Sequence, residues 1–434
     1  MLIFAFAIAL IVVLLLLEMP IAFAFGIGAL VFGIGTGSNI SFLIPYAYQT
    51  TTSFALLALP LFVLAGTIMA EGGISNRLLD FVNAFVGRIK GGLGAVTIVT
   101  CALFGAISGS SSAAIAAIGQ IMIPRMVREG YPVGHATALV ACSSVLALMI
   151  PPSIPMIVFA VTGGLSVGAA FLSTVIPGVL LAVLYVVLNF VFLRNNQDIK
   201  VEEKLPMKEV TLRIGRSGRE AFWALLMPII ILGAIYGGIA TPTEAAAIAL
   251  VYATVVGFFI YRSLSLRAFW NGTKWAAVTT GSIITVLFFL FMMSRSMVLQ
   301  QVPGQIADLL LNLSENRILL LLLINLVLLL MGMIVDDISG SVLAAVVLLP
   351  VVTELGVHPI HFAAIVGTNL GLGNVSPPCA PMLYMAAGVS KITLEKYIGI
   401  TLKFLCLGHL PMVLIVTFLP DLSLFLPRML MGIQ

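Results

Sequence analysis

Stretches of about 20 apolar residues, the length a helix needs to cross the hydrocarbon core of a bilayer, recur along nearly the whole chain. They lie near residues 2–18, 20–37, 52–70, 133–170, 172–193, 221–238, 241–261, 275–300, 360–390 and 398–420. Two more regions, near 92–124 and 318–350, are as apolar but are interrupted at mid-length by Gly and Ser. Composition excludes a soluble domain. Of 434 residues, 61% are hydrophobic and 9% charged, where a soluble domain carries about 25% charged residues and needs polar cover for its surface. The expected class is an all-α polytopic membrane protein. Its net charge of +4 is no nucleic-acid footprint, because the basic residues serve orientation instead. The first run ends in Glu18-Met19-Pro20 rather than the small residues of a cleavage site, so it is read as a retained span. Cys101, Cys142, Cys379 and Cys406 are far apart in apolar stretches and read as packing residues, not as a zinc site or a disulfide framework.

Residues 195–219, the one strongly polar stretch, are expected to link two membrane halves. With that basic linker placed inside, threading the spans outward puts all of the 21 Lys and Arg except Arg295, Arg317 and Arg428 on the inner side. The interrupted region at 92–124 then enters from the inside and that at 318–350 from the outside. Each is expected to be a re-entrant pair of half-length helices, because irregular backbone at membrane depth must be buried in protein or line a wet cavity. The resulting division is 1–51 N-terminal scaffold spans, 52–194 first repeat, 195–219 linker, 220–274 scaffold spans and 275–434 second repeat.

The halves also match by sequence. Pro151-Pro152-Ser153-Ile154-Pro155-Met156 and Pro377-Pro378-Cys379-Ala380-Pro381-Met382 lie 226 positions apart. The same offset pairs Pro124 with Pro350, Gly130 with Gly356, His135 with His361 and Ala138 with Ala364. A shifted offset of 231 pairs Ser108-Gly109-Ser110 with Ser339-Gly340-Ser341, which are taken as the two hairpin tips. Two repeats of opposite topology, each with a hairpin and a proline-broken helix, are the pattern of secondary transporters with a site at the midplane.

Proline removes a backbone donor and frees the carbonyl one turn earlier. Freed carbonyls with Ser and Thr hydroxyls suit a hard monovalent cation, and helix N-termini suit a carboxylate. The competing reading of the same Ser and Gly residues is close helix packing. Arg295, inside an apolar span, and Asp336-Asp337, just before the second tip, are intramembrane ionisable groups of the kind that mark function. Arg295 either contacts an anionic cargo, pairs with Asp336 or Asp337, or snorkels. His135 and His361 read as packing at helix starts, and Glu244 as a first-turn capping acid. No nucleophile–base or metal constellation is present, so an enzyme is not expected.

The run Phe104-Gly105-Ala106-Ile107-Ser108-Gly109-Ser110, with Ala116–Gly119, Ile123-Pro124 and Gly130-Tyr131, resembles the large membrane subunit of tripartite ATP-independent periplasmic (TRAP) transporters. So do Pro151–Met156 and Thr241-Pro242-Thr243-Glu244-Ala245-Ala246. The likeness runs from about Leu56 to Leu419. It implies an elevator-type, Na⁺-coupled importer in a bacterial inner membrane. A small four-helix membrane subunit and a soluble periplasmic substrate-binding protein would be its partners, and Na⁺ ions are co-transported with no organic cofactor. The cation-site residues implied are Ser108, Gly109 and Ser111 with Val145, Leu148 and Ile150, and Gly340 with Gly367, Thr368, Asn369 and Gly371. Cargo contacts fall to Arg295, Asp337, Ser110, Ser111 and Gly340. Many dicarboxylate members resemble PPVGxNLF after the second double proline, whereas Pro377–Tyr384 here reads PPCAPMLY. Together with Arg295 and the aspartate pair, this points to sialic acid or a related sugar acid, with C4-dicarboxylates next. The alternative is a stand-alone sodium/anion symporter that needs no binding protein.

Overall fold

The computed structural model describes residues 2–86, 90–199, 207–314 and 316–433. Arg88 and residues 200–206 of the expected linker, with Lys200 and Lys204, lie outside them. Among the described residues the fold is helical throughout, with no strand. This is the economical solution where every backbone polar group must be satisfied without water. Among the described residues eight helices are long and apolar enough to cross a membrane, or nine if Val133–Met149 and Ile154–Thr162, which meet at a 40° bend, count as one span.

The inverted arrangement is read most directly along the helix Val167–Leu193. At its C-terminal end, Asn189 donates from Nδ2 to the Gly91 carbonyl (2.9 Å), and its Oδ1 pairs with His135 Nε2 (3.0 Å). Lys90 Nζ donates to the Arg194 carbonyl there (2.9 Å). The base of the first hairpin therefore sits at this end. At the N-terminal end, Ala169 packs with Ile360 and Leu424, and Leu349 of the second hairpin covers Gly163. The second hairpin's base, closed by Arg317 donating to the Gly356 carbonyl (3.2 Å), sits at this opposite end. The hairpins thus point toward each other from the two sides of the membrane.

Three expectations require correction. The polar stretch 195–219 is not all linker: residues from Met207 belong to the helix Met207–Tyr236. Its polar first turns carry an Arg216–Glu220 pair at i,i+4 (3.2 Å), which supports exposed helix. The boundary at 274/275 falls inside one 34-residue helix, Leu266–Leu299. The hairpin arms, finally, are longer than half a span. Arg317–Ile334 and Asp337–Glu354 have 18 residues each, about 27 Å at 1.5 Å per residue. In the first hairpin Gly109 ends one helix and Ser110 caps the next, and in the second the break falls at Val335 and Asp336. Each descending arm relaxes into a π turn, Ile115–Gly119 and Ala344–Leu348, ahead of Pro124 and Pro350, where a missing N–H must be accommodated.

Close backbone approach holds these elements together. A Cβ on Gly105 would lie 2.5 Å from Ala147 Cα, and one on Gly373 would lie 2.5 Å from Gly332 Cα. The first contact locks the first hairpin to the first broken helix, and the second locks the second hairpin to the second. Small residues at crossings let dispersion forces act where lipid gives helices no hydrophobic reason to associate.

Candidate functional site

The first tip is built by local chemistry. Gly92–Ser108 ends at Gly109, whose φ of +61° suits glycine. Ser110 is extended and caps the next arm, its Oγ accepting from the Ala113 N–H (3.4 Å). A Cβ on Gly109 would lie 2.8 Å from the Pro152 carbonyl oxygen, and Ile154 N–H donates to the Gly109 carbonyl (3.3 Å). Hairpin tip and helix break of the first repeat are therefore one assembly. Ser108 is buried and its Oγ has no hydrogen-bond partner among the described residues.

In the first break, helix Val133–Ser144 continues through Leu146–Met149 and resumes at Ile154–Thr162 after the cis pair Pro151-Pro152. An unbroken helix would pair the Leu148 carbonyl with residue 152, a proline without an N–H. It would pair Ile150 with Ile154, whose N–H goes to Gly109 instead. The Leu148 and Ile150 carbonyls are thus denied their helical donors. Val145 is less free, since its carbonyl accepts from Leu148 N–H (3.0 Å).

The second tip lies elsewhere than its sequence match. Arg317–Ile334 ends at Val335, and Asp336 caps the following helix, its carboxylate accepting from Ile338 N–H (3.2 Å) and Ser339 N–H (3.4 Å). Ser339-Gly340-Ser341 form the first turns of the descending arm. Gly340 N–H already donates to the Asp336 carbonyl (2.8 Å), and a Cβ on Gly340 would lie 2.9 Å from Leu370. Gly340 is thus a helix-packing position and not a helix N-terminus. With the tips placed at Ser110 and Asp336, the repeats align here at the 226 offset of the double prolines.

The segment before the second double proline is likewise not unwound. Pro359–Asn374 is one helix, and the break spans 375–380 around the cis pair Pro377-Pro378. The glycines within it do not stop the ladder, which ends just ahead of Pro377-Pro378. Gly367, Thr368, Asn369 and Gly371 therefore sit in helix body. Thr368 Oγ donates back to the Ala364 carbonyl (2.7 Å), and the Thr368 carbonyl faces His409 Nε2 (3.0 Å). Asn369 Nδ2 donates to Asn325 Oδ1 (2.6 Å), which also accepts from Thr417 (3.1 Å). Gly371 lets His409 and Val145 approach.

The two repeats interlock crosswise. The half-helix after the first break packs on Asp337–Leu343 of the second hairpin, and the half-helix after the second break, Pro381–Ser390, packs on the π turn of the first. Where the tips meet, Ser111 Oγ donates to Asp337 Oδ2 (3.1 Å). Arg295 is not part of this junction. It lies one turn from the end of Leu266–Leu299, its guanidinium over the rings of Tyr46 (5.2 Å) and Phe42 (5.5 Å). Among the described residues it forms no ion pair with Asp336 or Asp337. The expected pair with Asp336 or Asp337 is therefore not formed there, and Arg295 Nε is buried without a hydrogen-bond partner among the described residues.

Two further groups stand at the breaks, Ser153 and Asn374. Both are fully buried, and Ser153 Oγ and both polar atoms of Asn374 lack partners among the described residues. Among the described residues no group of His, Cys, Asp and Glu could hold a metal. The Thr241–Glu244 capping box is present.

Opposed hairpins, paired helix breaks and buried polar groups at their junction have the form of a multi-pass membrane transporter. The chain matches, over residues 8–422, the family described as tripartite ATP-independent periplasmic transporter, DctM component, and belongs to it as a large permease subunit of the inner membrane. It is 37% identical to the C4-dicarboxylate TRAP transporter large permease protein DctM of Pseudomonas aeruginosa, covering 88% of each chain. It is 33% identical to the sialic acid TRAP transporter large permease protein SiaM of Vibrio cholerae, again covering 88% of each. It is 36% identical to the isethionate TRAP transporter permease protein DctMQ of Oleidesulfovibrio alaskensis over 89% of this chain, but spans only 60% of that longer relative. Among solved structures, the YdaH transporter of Alcanivorax borkumensis shares the fold, with a TM-score of 0.63 at 16% identity over 87% of this chain and 88% of that one.

Proposed function

We propose that this permease imports a small organic carboxylate by Na⁺-coupled, elevator-type transport. In this reading a soluble periplasmic binding protein delivers the cargo and a small four-helix membrane subunit completes the complex. The observation that carries the reading is the crosswise junction of tips and breaks, with released Leu148 and Ile150 carbonyls and unpartnered Ser108, Ser153 and Asn374 groups. Hard oxygen donors without internal partners fit a monovalent cation, and buried orphan polar groups call for a polar guest. The relatives' named cargoes, a dicarboxylate, sialic acid and isethionate, are all small organic anions. Arg295, the Asp336-Asp337 pair and the Pro377–Tyr384 sequence favour sialic acid or a related sugar acid, with C4-dicarboxylates next.

The test is uptake into proteoliposomes holding the permease and its small subunit, with sialic acid, succinate and isethionate as cargo panels. Uptake should require an inward Na⁺ gradient and a loaded binding protein. Na⁺-driven uptake of free cargo without the binding protein would instead support a stand-alone symporter. Uptake indifferent to Na⁺ would refute the coupling.

A further inference from the structure

The inner end of the molecule carries a cleft of ≈ 740 Å³ that the transport reading does not use. It opens between the start of the first broken helix (Pro132 to His135), the end of Val167–Leu193, and the segment 395–403. Lys396 and Lys403, seven residues apart, line it along with Asn196 and one acid, Glu395. Both lysines are exposed, and among the described residues neither forms an ion pair. Pro132 offers no side-chain cap to the helix N-terminus at the mouth, whereas His358 caps the equivalent helix of the second repeat through Ile360 N–H (3.1 Å). The remaining wall is apolar, formed by Phe192, Leu193 and Ile400. The same two helices show apolar side chains outward, Val187 and Val191 on one and Leu402 on the other.

We propose that this cleft binds the phosphate headgroup of an anionic membrane lipid, with Lys396 and Lys403 on the phosphate and Asn196 donating beside it. Two unpaired ammonium groups at the inner face, a net positive wall despite Glu395, and an amide donor suit an oxyanion. Basic pockets between spans on the inner side are a recognised form of lipid recognition. The apolar wall and the lipid-facing Val187, Val191 and Leu402 favour a headgroup that carries acyl chains over free phosphate. The occupied cleft would tie the start of the first broken helix to segment 395–403.

The experiment uses the full-length chain, purified with any co-purifying subunit and stripped of lipid in detergent. Thermal unfolding is followed on adding phosphatidylglycerol, phosphatidylcholine or inorganic phosphate. Phosphatidylglycerol should raise the midpoint saturably while phosphatidylcholine does not. Lys396→Gln and Lys403→Gln should each weaken the apparent phosphatidylglycerol affinity about fivefold, with Lys274→Gln, an exposed lysine outside the cleft, as the unchanged control. Equal effects of both lipids, or unaltered affinity in both variants, would overturn the proposal. A phosphate effect matching that of phosphatidylglycerol would overturn the lipid assignment in favour of a small-anion site. The lipid comparison on the unmodified chain decides the matter even if a variant fails to fold.

Discussion

Ser111 and Asp337 stand 226 positions apart, the spacing that separates the two double prolines, and their side chains hydrogen-bond at 3.1 Å. Each is the first helical residue after its tip, following the caps Ser110 and Asp336. Equivalent residues of two inverted repeats touch only near the axis that relates them, so this bond marks the pseudo-two-fold centre of the permease. The identity differs across the axis, a hydroxyl facing a carboxylate, and the pair is accordingly the place where the repeats have ceased to be equivalent.

The bond should be measurable as coupling between the hairpins. In a double-mutant cycle of Ser111→Ala and Asp337→Ala, hydrogen bonds to charged groups predict an interaction energy of about 1.5–3 kcal/mol. Additive losses of stability in detergent would mean that the tips are held by packing alone.

Helix crossings supply the rest of the cohesion. Gly105→Val would drive its side chain into Ala147, 2.5 Å from the Cβ position, and should cost about 1–3 kcal/mol or prevent folding. Gly281→Ala, also within a helix but with open space around it, should be neutral or stabilising by up to about 1 kcal/mol. Similar unfolding midpoints for both variants would contradict the close crossing.

What could be read in advance follows from which forces are local. Apolar run lengths and the proline pairs identify spans and breaks because both act through a residue's own backbone. The first tip was legible because Gly109 must take a positive φ and Ser110 caps its neighbour. The second was displaced by a chance Ser-Gly-Ser match at offset 231. The cap residue Asp336, which a helix-start rule picks out, marks the true tip. The helical body around Gly367–Gly371 was misjudged because glycine weakens a helix without breaking it when neighbours pack tightly. Ser153 and Asn374 were invisible as site candidates, since burial without a partner is a tertiary property. The absence of an Arg295 pair with Asp336 or Asp337 was likewise invisible, since which charges meet is a tertiary property.

Arg295→Ala should leave the protein folded, because no described carboxylate is orphaned by the change. The loss is limited to contacts with Tyr46 and Phe42, about 0.5–1 kcal/mol for each such cation–π contact. Uptake assayed beside stability separates the roles: a folded variant with normal uptake removes Arg295 from cargo handling, and a folded variant with lost uptake places it there.

The opposed hairpins predict opposite accessibilities at their bases. In a cysteine-free background, a cysteine replacing Arg317 should react with an impermeant maleimide added outside spheroplasts. One replacing Arg128 should react only after the membrane is permeabilised. Labelling of both from one side would contradict the inverted topology.

Asn374 offers the sharpest separation of structure from function. Its carboxamide is fully buried with both polar atoms unpartnered, so it lowers stability by the desolvation of a group that gains no hydrogen bond, about 1–3 kcal/mol. Asn374→Leu, branched alike at Cγ and apolar though larger, removes that cost. The variant should unfold at an equal or higher temperature than the parent. If the amide is retained to meet cargo or cation, the same variant should lose most of its uptake, and Asn374→Gln should recover little because the longer arm moves the amide. A structural amide would behave in the opposite way, with Asn374→Leu less stable and uptake falling only in proportion to folded protein. A drop in unfolding temperature with uptake per folded molecule intact would therefore remove Asn374 from the transport site.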